Sequence, residues 1–173
     1  TGKGNIIRSY PMVPGIDLVG SVLASDSEKF LPGDPVILTG WSVGERYWGG
    51  FTQRQRTHAD WLVHLPAALD ARDAMGLGTA GLTAMLCVMA IEEGGVRPED
   101  GPIVVTGAAG GVGSVAVALL AGRGYDVTAV TGRADTYDYL RQLGANSFLS
   151  RRAMTDKAKP LETETWAAAV DTV

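Results

Sequence analysis

Apolar and polar positions change rhythm once along this chain. Through residues 1–66 they alternate in short runs broken by Gly and Pro: "GIDLVGSVLA" (15–24), "DPVILTG" (34–40), "GGFTQRQRTH" (49–58) and "DWLVHLP" (60–66). Alternation of this length between turn residues predicts an all-β unit of short strands. From Asp70 the pattern shifts to helix and strand in turn. Asp70 caps a predicted short helix reaching Met75, and 79–93 reads as a longer helix, apolar nearly all round and ended by Gly94-Gly95. Strand 103–106, helix 112–123, strand 126–130, helix 136–143, strand 146–149 and strand 167–172 follow. A βαβαβ unit with a fourth strand predicts an α/β fold, a doubly wound parallel sheet. There is no internal repeat and no low-complexity tract.

Composition narrows the choice of partners. With 173 residues and 46% hydrophobic content there is room for one domain or two small ones, each with a real core. Net charge is −4, and the longest unbroken apolar runs are Ala84–Ile91 and Val115–Ala121. Both fall far short of the ~20 residues of a membrane span, so neither nucleic acid nor membrane is the expected partner. A lone cysteine, Cys87, lies in an apolar helical stretch, which excludes a disulfide framework, and nothing reads as a signal peptide. The expectation is a soluble, cytoplasmic protein. The first residue is Thr1, and the closing "WAAAVDTV" stops on what reads as a buried strand, so both ends are expected to be cut.

The chemistry is concentrated in "VVTGAAGGVGSVAVALL" (104–120). Gly107-x-x-Gly110-x-x-Gly113 joins a predicted strand to a predicted helix, and two readings stand. One is a tight structural turn, where glycine allows close helix–strand packing; the other is a loop that holds a phosphate-bearing cofactor. A helix beginning near Val112 turns unpaired N–H groups and the positive end of its dipole toward whatever lies over Gly110-Gly111. Gly107, Gly110, Gly111, Val112, Gly113, Ser114 and Val115 are therefore the candidate cofactor-binding residues. Roughly 20 residues further on, a dinucleotide fold that binds NAD places an acid against the ribose 2′-hydroxyl. This chain has Thr131-Gly132-Arg133 there. Arg133 suits the 2′-phosphate of NADP through a charge-assisted grip, against the alternative of a solvated surface arginine. Asp126 opens the strand at its opposite end, and Asp135 reads as a helix cap. S-adenosylmethionine enzymes also want an acid at this strand end, so NADPH is the expected cofactor, with Gly132 and Arg133 in its site.

Four segments, "PMVPGIDLVGSV" (11–22), "PGDPVILTG" (32–40), "GTAGLTAMLCVMAIEE" (78–93) and 104–120, resemble the medium-chain dehydrogenase/reductase superfamily. The chain looks most like its zinc-free quinone-oxidoreductase-like branch, and "TGKGNIIRSYPMVPGID", "LTGWSVGERYWGGFTQ", "TAGLTAMLCVMA" and "WAAAVDTV" are similar to its acrylyl-CoA reductase group. The resemblance implies part of a GroES-like β-barrel catalytic domain at 1–66 and the first part of a Rossmann NADP-binding domain at 70–173. It implies members that extend beyond both ends, with a possible homodimer when full length. Zinc-dependent members carry Gly-His-Glu where this chain has Gly15-Ile16-Asp17; one cysteine and two histidines, His58 and His64, cannot furnish a four-ligand site, so no metal is expected.

The implied activity is NADPH-dependent reduction of the carbon–carbon double bond of an α,β-unsaturated acyl-CoA, acryloyl-CoA to propanoyl-CoA, by hydride transfer to the β-carbon. A quinone or enone reductase, or a nucleotide-binding fragment without turnover, is the alternative. Thr79 and Thr83 lie on the segment that faces nicotinamide in the family; a hydroxyl bonded to its own helix is the plainer reading of each. The family's Asn-Tyr-Lys-Asp segment would fall before Thr1, which leaves the active site incomplete within 1–173. In "GWSVGERYWGG" (40–50), Trp41 and Trp48 either wall an acyl pocket or bury the end of the barrel, and Arg46 is placed to meet a CoA phosphate. Arg151 matches a position that contacts the adenosine phosphate in quinone-reductase relatives, though "SRR" also reads as a polar loop.

Overall fold

The computed structural model describes Gly4, Ile6, Ile7, 9–154 and 163–173. The chain divides into two compact units, Thr1–Thr79 and Ala80–Val173.

In the first unit three antiparallel strands run in the order β1 (Asp17–Ser21), β2 (Pro35–Thr39), β3 (Val63–His64). Register pairs Asp17 with Thr39 and Ile37 with Val63. Period-two alternation on β2 buries Val36 and Leu38, which form the local core with Phe30 and Val43. The turn into β2 is fixed by Asp34, whose carboxylate accepts the Leu31 N–H at 2.8 Å, and by Gly33 at φ 98°. The predicted strand 49–58 joins no sheet. Gly49, Gly50 and Phe51 donate to Val13, Gly15 and Pro14 carbonyls, but Pro14 has no N–H to return a bond, and the chain bends at 51–53. In 60–66 only Val63–His64 pairs, because Ala59–Trp61 forms a 3-10 turn.

Helix α1 (Ala71–Glu93) is interrupted at Gly78, where φ is 48° and ψ is −151°. The two helices expected on either side of this position are therefore two in fact. The first is capped as predicted, the Asp73 N–H donating to Asp70 Oδ1 at 2.7 Å. Taken whole, α1 is long and apolar enough to cross a membrane. The break leaves 79–93 uninterrupted, about 22 Å at 1.5 Å per residue, against a ~30 Å hydrocarbon core.

The second unit is a parallel four-stranded sheet in the order β6-β5-β4-β7, with β4 (Ile103–Val105), β5 (Val127–Thr131), β6 (Ser147–Ser150) and β7 (Ala168–Val170). The central strands β4 and β5 are β-branched and apolar runs buried at every position, as expected where a sheet is covered on both faces. Ile103, Val105, Val127 and Val170 pack with Val117 and Leu120 of α2 (Gly111–Gly122) and Leu140 of α3 (Tyr137–Gln142). Asp135 does not cap α3 as expected. It lies within the 3-10 turn Ala134–Thr136, and Thr136 at the cap position makes no side-chain cap bond.

Candidate functional site

β4 stands at the point where the sheet's order reverses: β5 and β6 follow on one side, and the chain returns to lay β7 on the other. The loops leaving the carboxyl ends of β4 and β7 must diverge there, which opens a crevice. A cleft of ≈ 700 Å³ occupies this position, built from the 106–112 loop, the end of β5 at Thr131–Arg133, Arg151 and Met154 past β6, and Asp171–Val173 past β7.

The glycines of the loop divide their duties. Gly113 faces the preceding turn, where a methyl group would sit 2.8 Å from Ala108 Cα and closer still to Gly107 O. Gly107 has φ 56°, and a methyl there would strike Thr172 Oγ1. Both are required by packing and backbone geometry. Gly111 is different: exposed at the first position of α2, it has only Ala80 Cβ near it, at 3.4 Å. Gly110, also exposed, is the N-cap and carries no capping side chain. The first N–H groups of α2 therefore face the cleft with no side chain competing for them, the arrangement that suits an anion. Packing accounts for Gly107 and Gly113, while Gly110 and Gly111 stand open at the cleft.

Val112 lines the cleft, whereas Ser114 and Val115 do not. Ser114 is buried, and its hydroxyl turns back to Gly111 O at 3.3 Å. The loop is held against β5 by the Ala108 N–H donating to Val130 O at 3.1 Å. Gly132 and Arg133 follow the strand directly. The Arg133 guanidinium reaches across to the loop and donates to Ala109 O at 3.0 Å, while its backbone N–H donates to Thr131 Oγ1 at 3.1 Å. Among the described residues it forms no ion pair, so its full charge faces the cleft.

Sequence reasoning missed the fourth wall. The Thr106 hydroxyl donates to Asp171 Oδ1, the Thr172 N–H donates to Thr106 Oγ1 at 3.0 Å, and the Thr172 hydroxyl donates to Thr106 O at 2.8 Å. The Thr106 hydroxyl bond, with help from the Val173 N–H, holds the Asp171 carboxyl below the usual carboxylate range. The available signal was the polar Asp-Thr pair that ends the last apolar strand, beside the equally polar Thr106 that ends β4.

Within the first unit, Asp17 of β1 serves as a cap supplied from afar. Its two carboxylate oxygens accept the Thr79 N–H at 3.1 Å each, and Oδ1 also accepts the Thr79 hydroxyl at 2.6 Å. A methyl on Gly78 would lie 2.6 Å from Asp17 Oδ2, so glycine is the residue that fits this close approach at positive φ. Thr83 is exposed. Trp41 and Trp48 are 57% and 60% exposed, so neither is buried at a barrel end within this unit. Arg46 is exposed beside them, and His64 sits on β3 with its ring 4.7 Å from Phe30. Among the described residues no three His, Cys, Asp or Glu side chains gather as a metal site requires.

No family model matches the chain. Individual proteins do. It is 58% identical over all of its 173 residues to the probable acrylyl-CoA reductase AcuI of Escherichia coli, of which it spans 53%. It is 59% identical to the yhdH oxidoreductase of Salmonella enterica, solved in complex with NADP, with a TM-score of 0.96 over the whole chain and 53% of that structure. The chain belongs to the medium-chain dehydrogenase/reductase family. The Bacillus subtilis protein yhfP, solved with NAD bound, is a further match at 45% identity and a TM-score of 0.91, covering 95% of the chain and 50% of that structure. Family membership makes the first unit a GroES-like β-sheet domain and the second a Rossmann-like parallel sheet. The chain spans about half the length of the relatives it matches.

Proposed function

We propose that this chain contributes the nucleotide cradle and part of the substrate domain of a reductase that uses NADPH to reduce the double bond of an α,β-unsaturated acyl-CoA, acryloyl-CoA to propanoyl-CoA. The observation that carries the reading is the cleft at the reversal point of the sheet, with the open N-terminus of α2 on one wall and the unpaired Arg133 on another. The 58% identity over the whole chain to a probable acrylyl-CoA reductase supports this substrate class. Bound NADPH would supply a hydride to the β-carbon of the acyl group, and the enolate left on the thioester would then take a proton at the α-carbon.

The residues divide the work of holding it. Gly110 and Gly111 leave the pyrophosphate free to approach the α2 N–H groups. Arg133 and Arg151, both exposed at the cleft, receive the ribose 2′-phosphate; Gly132, with only Arg151 Cβ at 3.9 Å near it, keeps the floor between them low. Asp171 and Thr172 form the opposite wall, where a carboxylate would repel a phosphate and so orients the dinucleotide with its phosphates toward Arg133. Asp17 fixes the start of the helical segment at Thr79, and we assign the hydroxyls of Thr79 and Thr83 to positioning near the nicotinamide. We assign the catalytic domain to 1–66 and the cofactor domain to 70–173.

The yhfP structure with NAD bound favours a second reading, an oxidoreductase less strict about its cofactor. Both are tested by following NADPH and NADH absorbance with acryloyl-CoA and with a simple quinone, using the protein that carries this chain. Acryloyl-CoA-dependent oxidation of NADPH in preference to NADH supports the first. Turnover of the quinone alone overturns it.

A further inference from the structure

The first unit holds an aromatic and basic surface that the cofactor cleft does not use. Trp41 lies on Trp61 with ring planes 12° apart and centroids 5.8 Å apart, and Tyr47 and His58 tilt against the same Trp61 ring at 4.8 and 4.6 Å. Stacking of this kind normally closes a core. Here Trp41 remains 57% exposed, and the loop holds Trp41 and Ser42 at φ 54° and 60°, a left-handed conformation that side-chain-bearing residues rarely adopt. The outcome is a flat indole face presented to solvent.

Next to it runs 54–58, the stretch that sequence alternation marked as a strand but that pairs with no sheet. Its alternation survives in exposure: Arg54, Arg56 and His58 are exposed while Gln55 and Thr57 are half-buried. One end is fastened by Gln55 Nε2 donating to Trp48 O at 2.5 Å, the other by the His58–Trp61 ring contact. The two arginines therefore stand on one solvent face of a strip that leads to the aromatic stack. Among the described residues neither is in an ion pair, nor is Arg46 one position before Tyr47. The Thr57 hydroxyl is buried in this strip without a hydrogen-bond partner. Three exposed arginines within residues 46–56, on a chain of net charge −4, are a local departure from the overall charge balance.

An exposed indole beside unpaired guanidiniums matches a planar base joined to phosphates: the ring stacks and the phosphates accept charge-assisted hydrogen bonds. We infer that Trp41, backed by Trp61, and the arginines Arg54, Arg56 and Arg46 form the docking surface for the adenosine 3′-phosphate diphosphate handle of an acyl-CoA. This deepens the function proposed above and rests on it for the identity of the occupant. The same chemistry occurs in the adenosine 2′-phosphate end of NADP, so the test must separate the two sources.

The experiment uses the protein that carries this chain, its Arg54→Ala/Arg56→Ala double variant, the Arg54→Lys/Arg56→Lys double variant, and Arg133→Ala. Tryptophan fluorescence is titrated with adenosine 3′,5′-bisphosphate and with adenosine 2′,5′-bisphosphate. The expected result is that the 3′,5′ isomer loses about tenfold or more in affinity in the double alanine variant and none in Arg133→Ala, with the 2′,5′ isomer showing the reverse. In turnover, the KM for acryloyl-CoA rises about tenfold in the double alanine variant with kcat little changed, and its preference for acryloyl-CoA over acryloyl-pantetheine falls by the same factor. The lysine pair restores most of both. Salt raises the parent's KM for acryloyl-CoA more steeply than the alanine variant's. Unchanged affinity for the 3′,5′ isomer together with an unchanged KM overturns the surface while leaving the reductase standing. Arginine-dependent binding of the 3′,5′ isomer without any reduction of acryloyl-CoA supports the surface and overturns the reductase instead. Preference for a single-stranded oligonucleotide over the bisphosphate also overturns the proposed occupant.

Discussion

Two glycines two residues apart, Gly111 and Gly113, should respond to alanine in opposite ways. At Gly113 the added methyl meets Gly107 O and, at 2.8 Å, Ala108 Cα. These are backbone atoms of a turn already fastened by the Gly110 N–H to Gly107 O and the Ala108 N–H to Val130 O, at 2.8 and 3.1 Å, so no side chain can rotate out of the way. Overpacking of this kind costs typically up to ~3 kcal/mol. Helix propensity returns about 1 kcal/mol. The net loss is about 2 kcal/mol, and it falls on the β4–α2 junction at the centre of the sheet. At Gly111 the methyl meets only Ala80 Cβ at 3.4 Å, an ordinary contact distance, and reduced freedom of the unfolded chain contributes roughly 0.5 kcal/mol in favour of the variant. Its methyl stands at the mouth of α2, where a pyrophosphate must approach the N–H groups. Gly111→Ala should therefore unfold in urea at or slightly above the parent's midpoint, yet bind NADPH at least tenfold more weakly by fluorescence titration. Gly113→Ala should lose its stability first. A Gly113→Ala protein as stable as its parent would refute the packing argument, and a Gly111→Ala protein with parental NADPH affinity would refute the cradle.

Arg133→Ala should weaken NADPH by about tenfold, the lower end of the range for a charge-assisted bond because the side chain is exposed, while leaving NADH affinity within twofold; isothermal titration with both cofactors checks this. Gly78→Ala, which places a methyl 2.6 Å from Asp17 Oδ2 at φ 48°, should destabilise the first unit by more than about 1 kcal/mol in chemical denaturation. Asp17→Ala removes the cap on Thr79 and should cost about 1–2 kcal/mol in the same assay, with Asp17→Asn recovering part of it. The Asp171 carboxyl is held below its ordinary value, so its contribution is present above the unfolded pKa of about 3.9 and disappears as pH falls through the lower folded value. Thr106→Val removes the first cause of that shift, so its urea midpoint should lie below the parent's at pH 6, and the gap between the two should narrow as pH falls through the parent's folded value.

The second unit was legible because its signals are local. Continuous β-branched runs, an unbroken glycine turn and helices of ordinary period specify β4–α2–β5–α3–β6 without reference to anything distant, and each strand and helix lies within a residue or two of its expected place. The absence of an acid at 132–133 was equally readable, since it depends on identity at one position. What the sequence could not decide was which glycine serves packing and which stands open at the cleft, because Gly110, Gly111 and Gly113 look alike until Gly107 and Ala108 are folded over one of them. Nor could it place Ser114 and Val115 outside the cleft, or bring Thr106 to Asp171 across 65 positions. The first unit depends more on such distant partners. Alternation in 49–58 forecast a strand, but a strand exists only where a neighbour can exchange both N–H and C=O, and Pro14 cannot donate. Asp17 likewise gave no sign that it would cap a helix 62 residues away. Local periodicity determined the elements of this protein; close approach of backbones, which only the folded chain brings about, decided what several of its residues are for.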